Sequence, residues 1–183
     1  MPKLLTLSAV VSIVVVASLP AMAQPGTSCS SIIPKELDQF LAKDFPTFRP
    51  KLISDLDRDE RRLWSETHGK ACPGVAAGQF ESADELSYAL LLIPQSRPKD
   101  GYRLVVVTAG ADNHFQSETL DSNDTADNSG MVIARVPPGK QSAFEGNKTI
   151  RLRLESISVQ WLEKAAVLYY WSNGKFRTLN TSD

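Results

Sequence analysis

Residues 55–66 read DLDRDERRLWSE, with aspartates at the first, third and fifth positions and a glutamate at the twelfth. That is the carboxylate spacing of a calcium-binding loop, in which hard oxygen ligands converge on one ion. Such a loop needs glycine at its sixth position, where the backbone turns sharply, and this chain has Glu60 there. Arg62 takes the eighth position, and the residues that follow, THGKACPG, read as a loop rather than an exiting helix. A capped amphipathic helix from about 55 to 66 accounts for the same charges. Asp55 and Asp57 lie at its electropositive start, and Ser54 with Asp57 resembles a capping box.

Other chemistry-bearing residues are sparse. The chain has two histidines, His68 and His114. A histidine-dependent hydrolase needs a nucleophile and an orienting acid against the imidazole. The sequence carries no G-x-S-x-G elbow, no H-E-x-x-H and no phosphate-binding P-loop. No catalytic, cofactor-binding or metal-ligating residue is therefore assigned, and no cofactor is expected. Asp121, Asn123, Asp124, Asp127 and Asn128 cluster in GADNHFQSETLDSNDTADNSG, residues 110–130, which has five acids and no Lys or Arg. It reads as an acidic loop, and a calcium-stabilised domain using residues 112–128 is one alternative.

The two cysteines, Cys29 and Cys72, form an even pair, which in an exported chain reads as a disulfide. Export is the expectation from the N-terminus. Lys3 precedes the apolar run LLTLSAVVSIVVVASL, and Pro20-Ala21-Met22-Ala23 supplies small residues for a cut after Ala23. Residues 1–23 are thus a signal peptide, leaving a mature chain of about 160 residues, one domain with a real core. Its net charge moves from −1 to about −2 as Lys3 is lost. That balance gives no broad nucleic-acid footprint, and no second apolar run is long enough to span a membrane. Three Asn-x-Ser/Thr sites begin at Asn123, Asn147 and Asn180, but they matter only in a eukaryotic secretory route, and the leader looks bacterial.

The elements follow from periodicity. Leu37, Phe40, Leu41 and Phe45 make one helical stripe over residues 34–45, bounded by Pro34 and Pro46. FPTFRP, residues 45–50, is an extended connector. From residue 74 the period changes to that of strands: 74–80, 86–94, 102–109 and 131–136. ALLLI and LVVV are apolar on both faces and must be covered on both sides. Between residues 149 and 162 the alternation slips by one position, which predicts a break near Glu155-Ser156. Asn173-Gly174 between AAVLYYW and KFRTL predicts a terminal hairpin. Among its aromatics, with Trp161 and Tyr169, the neighbours Tyr170 and Trp171 must point to opposite faces.

Gly78-Gln79-Phe80, then Asp84, then Tyr88-Ala89-Leu90-Leu91-Leu92 resembles one strand pair of the FG-GAP or VCBS-type repeats. The resemblance covers about 20 residues and implies a Gly-x-Phe strand paired with an apolar strand across an acidic turn, here ESADE. More loosely, the chain looks like secreted bacterial proteins that end in a YYW-x-x-GKF hairpin.

The expected fold is α+β, with two N-terminal helices packed on a mostly antiparallel sheet of about six or seven strands ending in a C-terminal hairpin. Residues 24–183 form the single domain. The expected function is an exported non-enzymatic binding or interaction protein of the bacterial envelope, periplasmic or secreted. Its partner would be another envelope protein or a glycan. The alternative is a small secreted hydrolase with a site assembled from loops around His68 or His114.

Overall fold

A computed structural model describes residues 29–110, 114–145 and 149–182, so the expected signal segment and its expected cut after Ala23 lie outside the described residues. The first of them, Cys29, opens a single helical turn, α1 (Cys29–Ile32), and is disulfide-bonded to Cys72 across 43 positions of sequence. The expected bridge is present. The apolar stripe then forms α2 (Lys35–Asp44), ended by Pro46, which cannot supply a helical N–H. The connector becomes a short strand, β1 (Phe48–Pro50).

Instead of a calcium loop, residues 55–66 give a single turn of tight helix (Ile53–Asp55) and then α3 (Arg58–His68). The cap lies three residues later than Ser54. Asp57 Oδ1 accepts from the Glu60 amide at 2.8 Å, and Glu60 Oε2 accepts from the Asp57 amide at 2.9 Å. Asp55 is held by two hydrogen bonds from the Arg49 guanidinium, each 2.7 Å. The carboxylates with calcium spacing are therefore spent on a helix start and an ion pair.

The rest of the chain corrects the expected α+β fold. The described residues form eleven strands in three sheets, and among them only α2 and α3 are helices of more than one turn. The first sheet holds β2 (Val75–Gly78), β3 (Ser87–Pro94), β4 (Asp100–Ala109) and β5 (Phe115–Asp127), with β1. Both β1 and β2 pair with β3, end to end along one edge. The second sheet holds β6 (Met131–Val136), β9 (Ser156–Trp161), β10 (Ala165–Trp171) and β11 (Phe176–Ser182), in the order β11-β10-β9-β6. A hairpin of β7 (Gly139–Ser142) and β8 (Thr149–Leu152) makes the third.

The main core lies between the first two sheets, where Ala89, Leu91, Leu104 and Val106 meet Met131, Ile133, Ile157 and Val159. The alternate residues of the first sheet, Leu90, Leu92, Val105 and Val107, pack under Leu37 and Leu41 of α2. This explains why ALLLI and LVVV lack a polar face. The outer face of the second sheet is covered by α3, through Trp64 on Val132, and by the β7–β8 hairpin, through Leu152 on Leu168 and Leu179. The two helices thus cover opposite sides of a two-sheet sandwich rather than sharing one sheet. The same hydrophobic pattern serves two stacked sheets, so it does not distinguish them from one.

The segment 110–130, expected as a loop, forms β5 over most of its length. Its own side chains have no apolar period, so the strand is imposed by the β4 backbone it pairs with. The predicted slip is real: β8 ends at Leu152 and β9 starts at Ser156. Glu155, freed from either ladder, reaches Arg135 at 3.2 Å and accepts from the Gln79 amide at 2.8 Å. At the terminal hairpin Asn173 and Gly174 both have positive φ, 55° and 76°, the two-residue turn that matches strand twist.

Candidate functional site

A mouth opens between the inner face of the first sheet and the end of β10. Its floor is β4, where Val106 and Thr108 point inward. One wall is β5, through Gln116, Ser117 and Glu118. A second is the loop after β2, which brings in Glu81, Ser82 and Glu85. Buried Phe80 anchors that loop, and Gly78 lets it pass: a Cβ there would lie 2.8 Å from both Glu155 Oε2 and the Phe80 ring. The aromatic wall is Trp171. Leu168 and Tyr170 of β10 pack in the outer cluster and Tyr169 against the inner one, so alternation turns Trp171 inward. Phe176, its cross-strand partner, meets its ring edge-on at 5.0 Å.

The cavity measures about 400 Å³, the scale of a small-ligand site. Three carboxylates line it, those of Glu81, Glu85 and Glu118, and no lysine or arginine does. Glu81 is held from below, accepting from the Thr108 hydroxyl and, at 3.5 Å, from the buried Ser87 hydroxyl. Partial burial, followed by the nearby charge of Glu81, pushes the Glu118 carboxyl above the usual carboxylate range. The site thus has excess negative charge beside an aromatic surface. A second acid follows along β5. Asp121 Oδ2 accepts from Tyr102 at 2.8 Å and from Tyr169 at 3.4 Å. Burial and then this carboxylate push both phenols up, Tyr169 to about 12.

The histidines are not part of this arrangement. His68 ends α3, stacked on Trp64 at 3.9 Å, with Nδ1 2.6 Å from the Thr67 hydroxyl. Burial lowers its pKa. His114 is exposed at the β4–β5 connection, where its carbonyl accepts from Gly110. Among the described residues no carboxylate hydrogen-bonds to either imidazole, and no group of three or more His, Cys, Asp or Glu side chains is placed to hold a metal ion. Of the proposed oxygen ligands in and just after β5, Asp121 is taken by the tyrosines, Asp124 by Arg103 at 2.8 Å and Asp127 by the Ser129 amide at 2.9 Å. Asn123 bonds to the turn amides of Thr125 and Ala126. Asn128 is buried and bonded to Lys51.

A larger cavity, about 610 Å³, lies beside the disulfide between Cys29, Ile33, Asp38, Arg49 and Leu52. Lys35 also lines it, offset by Asp38, and Arg49 is already paired with Asp55, so the charges there are balanced. Glu81, Ser87, Thr108 and Glu118 were missed by sequence reasoning because they lie in a presumed turn, two core strands and a presumed loop. Trp171 was visible as one of two neighbours that must diverge.

No family model, curated protein or solved structure matches this chain. Among the described residues no helix is long and apolar enough to cross a membrane.

Proposed function

We propose that this is an exported, non-enzymatic binding protein of the bacterial envelope, periplasmic or secreted. Its site is the sandwich mouth, and the group bound there is an organic cation, a primary ammonium or guanidinium. One observation carries the reading: three carboxylates and Trp171 line an open, ligand-sized cavity whose lining has no positive side chain. A cation there relieves the Glu81–Glu118 repulsion and gains the ring face of Trp171, worth about 0.5–2 kcal/mol for the ring alone. The disulfide and the hydrophobic leader support the location.

The test is a titration of the oxidised protein with N-acetyl-argininamide, its uncharged glutamine analogue and N-acetylglucosamine, followed by amide shifts at residues 116–118 and 171. Saturable shifts with the arginine compound alone, abolished by Glu118→Gln with Glu81→Gln, support the reading. Equal response to the uncharged analogue would refute it. A response to the sugar alone would reassign the mouth to glycan.

A further inference from the structure

A free strand edge runs beside the mouth. Among the described residues β5 pairs only with β4, and none of its thirteen residues is buried. Its other edge therefore presents unpaired backbone N–H and C=O groups. Proteins commonly blunt such edges with bulges and charges. Here the bulges are confined to the distal part. The ladder to β4 is regular from Phe115 to Thr119, then shifts between Thr119 and Asp121 and again between Asn123 and Asp127. So the stretch left fit for pairing is Phe115–Thr119, and it is the stretch that lines the mouth. The cavity touches Gln116, Ser117 and Glu118 in succession. Consecutive side chains of a strand point to opposite faces, so a cavity that meets all three runs along the backbone of β5.

The charge of the strand selects the occupant. Every ionisable side chain of β5 is acidic: Glu118, Asp121, Asp124 and Asp127. Within Phe115–Thr119 the one charge is Glu118, and a second copy of this stretch would add another carboxylate to the three already at the mouth. An extended segment with one basic residue brings the opposite charge to Glu118 and to Glu81 and Glu85 beside it.

We propose that the Phe115–Thr119 edge of β5 accepts a short extended segment of a basic polypeptide as an added strand, with one arginine or lysine side chain seated in the Glu81–Glu118–Trp171 mouth. This rests on the mouth being a cation site. The added backbone bonds supply affinity, and the mouth reads one side chain of the segment, the division of labour usual in strand addition. No covalent step is involved.

The test compares N-acetyl-argininamide with the capped heptapeptide Thr-Val-Thr-Arg-Thr-Val-Thr, its Arg→Gln form, and its forms N-methylated on alternate residues along either edge. Each is titrated into the oxidised protein with amide exchange read on β5. The expected result is that the heptapeptide binds at least tenfold tighter than the argininamide, roughly what a few added hydrogen bonds give. It also slows exchange within residues 115–119. One N-methylated form and the Arg→Gln form lose that gain. If the heptapeptide binds no tighter than the argininamide, strand addition is overturned and the cation site stands. If the Arg→Gln form binds as well as the parent, the basic partner is overturned. If no probe moves the signals of Glu118 and Trp171, both readings fail.

Discussion

Replacing Lys51 by methionine should remove a pH dependence that the native fold carries. Lys51 is 1% exposed, and its ammonium donates to the backbone carbonyl of Asn128 at 2.5 Å and to its Oδ1 at 3.1 Å. Asn128 in turn donates to the carbonyls of Pro98 and Gly101, each at 2.8 Å. Burial lowers the Lys51 pKa from 10.5 to about 8, against the favourable charges of Glu60, Asp55 and Asp127. Between those two values the unfolded chain binds one proton that the folded chain has released. Stability therefore rises with pH there, by about 1.4 kcal/mol per unit. Tyr102 and Tyr169 act oppositely. Their phenols are held neutral in the fold, so stability falls once the unfolded phenols ionise above about 10. The readable window is thus from about 8 to 10, with a gain of about 2 kcal/mol. Urea titrations followed by tryptophan fluorescence across that window measure it. Both cysteines are in the disulfide, so no free thiol drives exchange at alkaline pH. The wild type should gain stability toward the top of the window while Lys51→Met stays flat. A wild-type curve flat or falling in parallel with the variant would refute the linkage.

Removing the disulfide with paired Cys29→Ala and Cys72→Ala changes should cost about 4 kcal/mol, from the entropy of the loop it closes, read as a lower urea midpoint. Gly74→Ala should destabilise by about 2–3 kcal/mol or more, because its Cβ would lie 2.4 Å from the Lys51 carbonyl oxygen, a backbone atom that cannot swing away. A thermal midpoint equal to wild type would show that the seam between the β1 and β2 ends can spread. Asp57→Ala should cost about 1 kcal/mol by removing one half of the α3 capping box. Added calcium and added chelator should leave the melting temperature unchanged, since Asp55 and Asp57 are engaged by Arg49 and Glu60. A rise with calcium would reopen the loop reading.

Most local structure was legible. The stripe of α2, the strands β3, β4 and β6, the break before β9 and the Asn-Gly turn all follow from side-chain period or turn chemistry. Cys29 and Cys72 were legible from compartment and count. Two things were not. β5 has a strand backbone with loop-like side chains, because an edge strand outside the core has no need of an apolar period. The number of sheets was also hidden, since Leu91 and Leu90 look alike in sequence although one faces Ile133's sheet and the other faces α2. The mouth inherits both gaps. Glu81 and Glu118 are 37 positions apart and meet only once two sheets are stacked and β5 is a strand.

The seam where β1 and β2 share one edge of β3 bears on how the chain behaves before it is oxidised. Leu91 donates to the Gly74 carbonyl and accepts from the Lys51 amide, so that edge is closed by two short segments rather than one long strand. Both segments lie close to the bridge: β2 begins three residues after Cys72, and the carbonyl of Lys51, just after β1, is 3.7 Å from Cys72 Sγ. Without the bridge their docking loses its restraint, and the edge it uncovers belongs to YALLLI, an uncharged, apolar run of the kind that stacks into fibrils. Oxidation of Cys29 and Cys72 then acts as a guard against aggregation as well as a stabiliser. A reducing compartment would favour intermolecular sheet growth from β3 over the native fold.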